Sequence, residues 1–478
     1  MSENCTDKFS GTFFCIQNIV RADGNIRLSI GEFMKLLFVS LGCDKNLVDS
    51  EEMLGLLTAN GFEIVDDETR AEVIVVNTCC FINDAKEESV NTILEMAEYK
   101  KEGTCKVLIV TGCMAQRYKN EIIEEVPEVD AVLGTTSYGD ILKAINEAMD
   151  GKHFQEFKDI DYLPEKLGKR VLTTGGHFGY LKIAEGCDKH CTYCIIPKLR
   201  GKFRSVPMER LVAQAQEMAE EGVKELILVA QETTVYGTDI YGKKSLHILL
   251  KELCKIKGIR WIRVLYCYPE EIYDELIQTM KEEKKICHYL DLPIQHASDR
   301  ILKRMGRRTT QAELVAIVNK LRQEIPDIVL RTTLITGFPG ETQEDHEELM
   351  GFVDEMEFDR LGVFTYSPEE DTPAADMPDQ IPEEVKEERR DEIMELQQEI
   401  SYDKGTDRIG QELMVMIEGK VADESAYIGR TYGDAPKVDG YIFVQTGELL
   451  MTGDFAKVRV TGALEYDLIG ELADEYTE

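Results

Sequence analysis

The chain contains 478 residues and carries a formal net charge of −35, which comes from 55 basic and 90 acidic side chains. Its length predicts several domains, because single hydrophobic cores stop growing at shorter lengths. No apolar run approaches the roughly 18 residues that a membrane-spanning helix needs, and no basic-then-apolar signal peptide opens the chain, so we expect a cytoplasmic protein. Its acidity argues against strong nucleic-acid binding, since like charges repel.

Residues 1–33 show no clear periodicity, and we interpret them as a flexible N-terminal extension. Cys5 and Cys15 therefore receive no ligand role. Residues 34–150 alternate apolar runs with amphipathic segments, which predicts a domain built on a doubly wound parallel sheet. The predicted strands are 35–41, 72–77, 106–111 and 131–133, and the predicted helices are 50–60, 84–101 and 138–149.

Three cysteines follow successive predicted strands of this domain: Cys43, Cys79 and Cys113. Ligands of an open α/β sheet gather outside the carboxyl ends of its strands, so these three side chains could converge on one point. The alternative is three ordinary buried thiols. Cys80 would point away from its neighbour and Cys105 lies at a strand start, so neither is a candidate.

Residues 151–175 are polar and glycine-containing, and we interpret them as a linker. Residues 176–403 begin a second alternating series, which predicts a partial or full parallel barrel followed by a charged connecting helix at 378–403. The predicted barrel strands are 179–185, 225–230, 261–266, 288–292, 329–335 and 361–366.

The loop after the first barrel strand holds three of the 13 cysteines in a C-x-x-x-C-x-x-C pattern: Cys187, Cys191 and Cys194. Three thiolates can fill three corners of an iron–sulfur cube and leave the fourth iron open to a small ligand. The alternatives are a zinc site completed by His190 and simple burial.

Polar groups also follow other barrel strands, at 231–234, 295–296 and 336–341. Catalytic loops of parallel barrels lie at these carboxyl ends. For each residue taken singly, helix capping or solvation is the competing interpretation.

Residues 404–478 show short alternating strands with glycine-containing turns, which is typical of a small β-barrel. We expect strands at 412–417, 440–445 and 456–461. From residue 408 onward the segment has 6 basic and 14 acidic residues, a net charge of −8. That charge would repel phosphates and attract a basic protein, unless it merely reflects the acidity of the whole chain.

These motifs resemble the radical S-adenosylmethionine (SAM) methylthiotransferases over residues 34–478. Within that family the chain is most similar to the RimO type, which modifies the twelfth protein of the small ribosomal subunit. The tRNA-modifying MiaB type typically has Cys-Gln-Met-Asn where this chain has Cys43-Asp44-Lys45-Asn46. The segments that carry the resemblance are SLGCDKNLVDSE at 40–51, NTC at 77–79, CIIPKLRG at 194–201 and YIGRTYGDAP at 427–436.

The resemblance implies an N-terminal cluster domain, a central partial TIM-type (β/α)6 barrel and a C-terminal TRAM barrel. It also implies two 4Fe–4S clusters, one on Cys43, Cys79 and Cys113 and one, which chelates SAM, on Cys187, Cys191 and Cys194. Tyr193, Gln231 and Glu232 are the expected SAM contacts.

The implied reaction adds a methylthio group to the β-carbon of an aspartate in the ribosomal protein. A flavodoxin or ferredoxin of low potential would supply electrons. Methylthiolation of a tRNA adenosine is the alternative activity, and a non-catalytic iron–sulfur scaffold is a third possibility.

Overall fold

The computed structural model describes residues 34–165, 168–422 and 424–473. The interpretation of residues 1–33 lies outside these residues. The chain divides into two compact units. The first runs up to Thr173 and adds residues 185–189 and 195–204; the second contains the remainder, residues 174–184, 190–194 and 205–478. No helix within the described ranges is both long and apolar enough to cross a membrane.

The first unit is built on a six-stranded sheet in which all strands are parallel, with the order β2-β1-β3-β4-β5-β6. Its strands are β1 (Met34–Ser40), β2 (Phe62–Ile64), β3 (Val73–Thr78), β4 (Val107–Gly112), β5 (Ala131–Leu133) and β6 (Phe154–Glu156). Its helices are α1 (Asp44–Ala59), α2 (Asn83–Glu102), α3 (Cys113–Tyr118), α4 (Asn120–Glu125) and α5 (Ile141–Met149).

Both faces of this sheet are covered, as a doubly wound fold requires. Strands β3 and β4 are buried at every position, which explains why they read as continuous apolar runs instead of alternating ones. One core cluster joins alternate strand residues to α1 and α5, and a second joins the intervening residues to α2 and α3. The predicted doubly wound sheet is confirmed.

The first unit departs from the sequence prediction at its two edge strands, at the start of α1 and at the short helices α3 and α4, which were not predicted. The segment predicted as a linker, 151–175, contributes β6, which pairs in parallel with β5. Helix α1 begins at Asp44 and not near residue 50, because its first two turns bury polar side chains that carry no hydrophobic periodicity. Short edge strands such as β2 and β6 bury little apolar surface, so they gave no signal.

In the second unit, an open parallel sheet has the order β14-β13-β12-β11-β10-β7, which confirms a partial barrel of six strands. Those strands are β7 (Phe178–Lys182), β10 (Glu225–Val229), β11 (Trp261–Val264), β12 (Ile286–Gln295), β13 (Val329–Thr336) and β14 (Arg360–Thr365). The single strand predicted at 179–185 is interrupted, and β8 (Ala184–Glu185) and β9 (Arg204–Ser205) are separate two-residue strands.

Helices connect these strands along the chain. They are α6 (Ile196–Arg200), α7 (Met208–Glu220), α8 (Thr238–Tyr241), α9 (Leu246–Cys254), α10 (Asp274–Glu282), α11 (Asp299–Arg304), α12 (Gln311–Glu324), α13 (Gln343–Met356) and the connecting helix α14 (Glu383–Thr406).

The C-terminal strands close into a five-stranded barrel of order β15-β16-β17-β19-β18. They are β15 (Glu412–Lys420), β16 (Ala426–Thr431), β17 (Ile442–Gln445), β18 (Phe455–Ala463) and β19 (Leu468–Leu472). The predicted small barrel is confirmed, although the sequence pattern missed β16 and β19. Both contain glycines packed against neighbouring strands, which weakens their alternation.

A buried ionic seam attaches the C-terminal barrel to the parallel strands within the second unit. Glu225, at the start of β10, accepts hydrogen bonds from Arg263 Nε at 2.8 Å and Arg430 Nη2 at 2.7 Å, and all three side chains are fully buried. Asp439 accepts from the hydroxyl of Tyr289 at 2.7 Å, and Asp434 accepts from Arg360 Nε at 3.1 Å. Side chains of β10, β12 and β14 therefore pair with polar side chains of the C-terminal barrel.

The charges of this seam depend on one another. Burial raises the pKa of Glu225, but the charges of Arg430 and Arg263 outweigh that effect and hold the pKa below its ordinary value. Removing one member of a buried ion pair leaves its partner charged in a medium of low polarity, which typically costs about 3–5 kcal/mol. The seam should therefore tolerate no single neutralisation.

We expect Glu225→Gln to lower the free energy of unfolding of the second unit by about 3–5 kcal/mol, because two buried guanidinium groups lose their shared anion. Trp261, the one tryptophan of the chain, packs edge-on against Phe455 of the C-terminal barrel at 4.8 Å between ring centroids. Its fluorescence in a urea titration therefore reports on the seam.

Glu412→Gln is the matched control, since Glu412 pairs with Lys457 and Arg459 at the surface. Such exposed pairs contribute at most about 1 kcal/mol. Equal losses for the two variants would contradict a stabilising role for the seam.

Candidate functional site

The first group of candidate ligands lies at the carboxyl edge of the first sheet. Cys43 follows β1, Cys79 follows β3 and Cys113 follows β4, and these three strands are neighbours in the sheet. The strand order reverses between β1 and β3, with α1 packed on one face and α2 on the other. Such a switch point is where doubly wound sheets bind ligands.

The three thiols are close enough to influence one another electrostatically. Cys79 and Cys113 are buried, whereas Cys43 is exposed. Burial, and after it the neighbouring thiols of Cys113 and Cys43, raise the pKa of Cys79 well above its ordinary value. The structure therefore brings the predicted trio together and leaves it accessible on the side of Cys43.

Two glycines allow this convergence. Gly42 has φ +84°, and a Cβ placed on it would lie 2.6 Å from the Cβ of Cys79 and 2.8 Å from its Sγ. Gly112 has φ +93°, and a Cβ there would lie 2.5 Å from the carbonyl oxygen of Thr78. The loops after β1, β3 and β4 approach each other so closely that a side chain at either position would separate them.

Cys80 occupies a different environment from its neighbour. Its side chain is fully buried in the hydrophobic cluster that lines the α2 face of the sheet. The sulfur of Cys105 donates a hydrogen bond to the carbonyl oxygen of Val107 at 3.3 Å, at the opposite end of β4. Both positions agree with their exclusion as candidates.

A polar network beneath the trio holds these loops in place. Asn46 Nδ2 donates to the carbonyl oxygens of Leu41 at 2.8 Å and Thr78 at 3.1 Å, and so ties the loop after β1 to the end of β3. Asn77 Nδ2 donates to the carbonyl oxygen of Asn46 at 3.0 Å. The buried polar residues of α1 are therefore structural supports of the thiol trio.

Arg200, at the end of α6, enters the same network. It is buried, donates to Asp49 Oδ2 at 2.7 Å and Glu185 Oε2 at 3.0 Å through Nη1, and donates to Asn46 Oδ1 at 2.9 Å through Nη2. Burial raises the pKa of Cys113, while the charge of Arg200 and its hydrogen bond to that thiol oppose the shift. Sequence reasoning missed Arg200, although it lies inside the CIIPKLRG segment.

The second group of candidate ligands lies on the 187–194 loop. Residues 185–189 pack with the first unit and 190–194 with the second. Cys187 is buried; its backbone N–H donates to the carbonyl oxygen of Gly201 at 3.1 Å, and its sulfur accepts from the N–H of Lys189 at 3.4 Å. Cys191 is buried and Cys194 partly buried, and a backbone hydrogen bond of 3.1 Å joins them.

Buried polar groups surround Cys191 within the second unit. Its sulfur lies 3.8 Å from the hydroxyl of Tyr268, and the guanidinium of Arg307 lies 4.3 Å above the Tyr268 ring. Arg307 Nη2 donates to the carbonyl oxygen of Pro293 at 3.1 Å, but its Nε and Nη1 find no hydrogen-bond partner among the described residues. Two buried N–H groups of the Arg307 guanidinium are therefore available to donate hydrogen bonds beside Cys191.

The three expected SAM contacts have different surroundings. Tyr193 packs edge-on against Phe338 with 6.4 Å between ring centroids, and burial followed by the charge of Cys191 raises its pKa well above the ordinary value. Gln231 follows β10, and its buried Oε1 accepts no hydrogen bond from a described residue. Glu232 is buried and accepts hydrogen bonds from the backbone and hydroxyl of Thr234.

The remaining strand-end candidates meet at the ends of β12 and β13. His296 Nδ1 accepts from the N–H of Ser298 at 3.0 Å, and its Nε2 lies 3.6 Å from Glu341 Oε2. Glu341 in turn accepts from Arg389 Nη1 at 2.9 Å. Gln295, just before His296, adopts φ +74°, a strained conformation that non-glycine residues rarely show outside functional or tightly constrained sites.

Among the described residues, no three His, Cys, Asp or Glu side chains are gathered tightly enough to hold a metal ion. A four-iron cluster makes a different demand, since its thiolates bind separate iron atoms and stand farther apart than ligands of one ion.

Three family models match the chain in the order of its domains. Uncharacterized protein family UPF0004 matches residues 35–134, the Radical SAM superfamily matches 181–353 and the TRAM domain matches 409–473. The matched ranges contain β1–β5 of the doubly wound sheet apart from Met34, β10–β13 of the partial barrel and all five strands of the closed C-terminal barrel.

Curated relatives match almost the entire chain. A ribosomal protein uS12 methylthiotransferase RimO from Lachnoclostridium phytofermentans is 66% identical over 437 residues, which cover 91% of this chain and 99% of the relative. A protein of the same name from Clostridium perfringens is 53% identical over 443 residues, covering 92% and 98%.

Among solved structures, the radical SAM methyltransferase TsrM from Kitasatospora setae, with cobalamin and a [4Fe-4S] cluster bound, superimposes with a TM-score of 0.52. It is 14% identical and covers 72% of this chain and 77% of its own, so the likeness concerns the fold alone. Fold, loop motif and family models together define a radical SAM enzyme. The identity to curated relatives narrows this class: the chain belongs to the RimO family of methylthiotransferases.

We expect Gly42→Ala to lower the iron content of the reconstituted protein, because the added Cβ would displace Cys79. Gly151→Ala is the matched control, since Gly151 also has positive φ, +76°, but no atom lies within 4 Å of the added Cβ. Both variants place an alanine in the left-handed conformation, which costs about 1–2 kcal/mol. Only Gly42→Ala also places a Cβ too close to Cys79. Equal iron per chain in the two variants would contradict the close approach as the reason for this glycine.

Proposed function

We propose that this chain adds a methylthio group to the β-carbon of an aspartate in ribosomal protein uS12, with SAM and two 4Fe–4S clusters as cofactors. The observation that carries the proposal is the convergence of Cys43, Cys79 and Cys113 at the switch point of the first sheet. It occurs in a chain 66% identical to a curated uS12 methylthiotransferase.

We assign the first cluster to this trio of thiols. Three side chains would be too few to saturate four irons, so a cluster held here would keep one iron free of protein ligands. Cys43 is the exposed member of the trio. The buried cation Arg200 fits a group that carries net negative charge once its thiolates have bound. The chemistry that this cluster would contribute is to supply or carry the sulfur that is transferred.

We assign the second cluster to Cys187, Cys191 and Cys194. A cluster held by these three residues would offer an open iron for the amino and carboxylate groups of SAM and an electron for its reductive cleavage. The Nε and Nη1 donors of Arg307, which have no hydrogen-bond partner in the described part of the chain, suit an anionic group beside Cys191. The buried Oε1 of Gln231 accepts no hydrogen bond from those same residues, so it suits the polar face of the same ligand.

The chemistry of the target explains why two clusters are needed. An sp³ carbon without a leaving group does not react with a nucleophile, so a hydrogen atom must be removed before sulfur can bond. Sulfur must then already lie within bonding distance, because a carbon radical is unselective and would otherwise react with another nearby group. The protein holds ligands for both groups on loops at the carboxyl ends of parallel strands, where backbone geometry is well defined.

We propose that the C-terminal barrel docks the basic substrate protein. Part of the negative charge of this barrel is already paired within the seam, because the side chains of Asp434 and Asp439 are buried against arginines of the parallel strands. The charge left for a partner is therefore smaller than the count of −8 suggests. A flavodoxin or ferredoxin would deliver the electrons, and the cytoplasm is where ribosomal proteins and such donors meet.

Mass spectrometry of uS12 from cells with and without the gene tests the substrate. We expect a mass increment of one methylthio group on a single aspartate, present only when the gene is present. Digested tRNA from the same cells is the control. If uS12 were unmodified and a tRNA adenosine carried the methylthio group instead, the substrate would be tRNA, as in the MiaB type.

Separate loss of the two clusters tests the assignment of the cysteines. Cys79→Ala should abolish methylthiolation but leave reductive cleavage of SAM to 5′-deoxyadenosine intact, whereas Cys191→Ala should abolish both reactions. Cys80→Ala is the matched control and should retain both, since its side chain lies in the hydrophobic core. Liquid chromatography of 5′-deoxyadenosine together with peptide mass spectrometry measures the two reactions, and a Cys80 variant without methylthiolation would overturn the choice of Cys79.

A further inference from the structure

Arg200 is among the largest fully buried side chains of the protein. It is hydrogen-bonded to α1, the helix that begins directly after Cys43, and its own helix α6 packs against α3, which begins at Cys113. Helix α6 is only five residues long and delivers this side chain directly after the 187–194 loop. A buried guanidinium is costly unless its donors are satisfied, so its retention there calls for a reason.

The guanidinium is fixed in one orientation by partners from separate segments. Nη1 is shared by the carboxylates of Asp49, on α1, and Glu185, ahead of the loop, and Nη2 is held by the amide oxygen of Asn46. The planar fork of arginine suits such a set, whereas the ammonium of lysine would not span it. Its position relative to the Cys113 thiol is therefore set by the fold and not by side-chain mobility.

The residue after Arg200 connects this network to the second group of ligands within the first unit. The carbonyl oxygen of Gly201 accepts from the backbone N–H of Cys187 at 3.1 Å. A Cβ on Gly186 would lie 2.5 Å from that same oxygen, so the two backbone segments are in close contact. One dipeptide, 200–201, thus sends a side chain toward Cys113 and a carbonyl group to Cys187.

We infer that Arg200 is a positioning residue that sets the reduction potential of the cluster bound by Cys43, Cys79 and Cys113, with Asp49 moderating its charge. This inference rests on the proposed function, which supplies the cluster. Reduction adds an electron and hence negative charge to the cluster. A buried cation near the ligand sulfurs stabilises the reduced state, and a carboxylate paired with that cation weakens the effect.

The test is a redox titration of the first cluster followed by electron paramagnetic resonance, in full-length reconstituted protein whose Cys187, Cys191 and Cys194 are alanine, so that one cluster remains. Arg200→Gln should make reduction at least about tenfold less favourable, which is about 59 mV more negative for a one-electron couple. Arg200→Lys keeps the charge and should recover part of that shift.

Asp49→Asn should move the potential in the opposite direction, because the charge of Arg200 is then less neutralised. A residue that only held the loops together would not give opposite signs for these two variants. Arg263→Lys is the control: it alters an equally buried arginine that pairs with Glu225 in the second unit, and it should leave the potential unchanged.

The outcomes separate the inference from the proposed function. No shift in Arg200→Gln, or shifts of the same sign in Arg200→Gln and Asp49→Asn, would overturn the role of Arg200 while the cluster assignment stands. If Arg200→Gln takes up no iron, the potential of Asp49→Asn becomes the test. A potential of that variant that is unchanged or more negative overturns the inference. Absence of any cluster in the chain that retains Arg200 would overturn the proposed function itself.

Discussion

Parallel pairing of β1, β3 and β4 is the constraint on which the first site depends. Neighbouring parallel strands end at one edge of their sheet, so residues that are 36 and 34 positions apart in sequence arrive at one place. The reversal of strand order between β1 and β3 separates α1 from α2 and opens the crevice there. A shift in this pairing would disperse the thiols even if every cysteine were kept.

Buried arginines then perform a task that apolar packing cannot. Apolar side chains fill space, but they do not fix the orientation of a loop that carries a reactive group. Arg200 binds three side chains from two segments, α1 and the residue Glu185, and Arg263 and Arg430 share one carboxylate across the seam. In both places the cost of desolvation is offset only because several donors are satisfied at once, which makes the arrangement intolerant of alternatives.

Most of the fold could be predicted from the sequence because the central strands are continuous apolar runs, as in β3 and β4. The same holds for the thiol trio, since a cysteine after each of three strands is a positional signal. The first turns of α1 could not be predicted, because Asn46 and Asp49 are buried for their hydrogen bonds and not for their hydrophobicity. The burial of Arg200 and Arg307 could not be predicted for the same reason, because a charged residue is ordinarily exposed to solvent.

The seam also bears on how the chain matures during synthesis. Glu225 and Arg430 are separated by 205 residues, so the carboxylate leaves the ribosome long before its second partner exists. Until β16 has been synthesised, Arg263 is the only one of the two arginines that can pair with Glu225. Completion of translation is therefore coupled to sealing of the barrel, and a nascent chain cannot reach its final stability ahead of its own C-terminus.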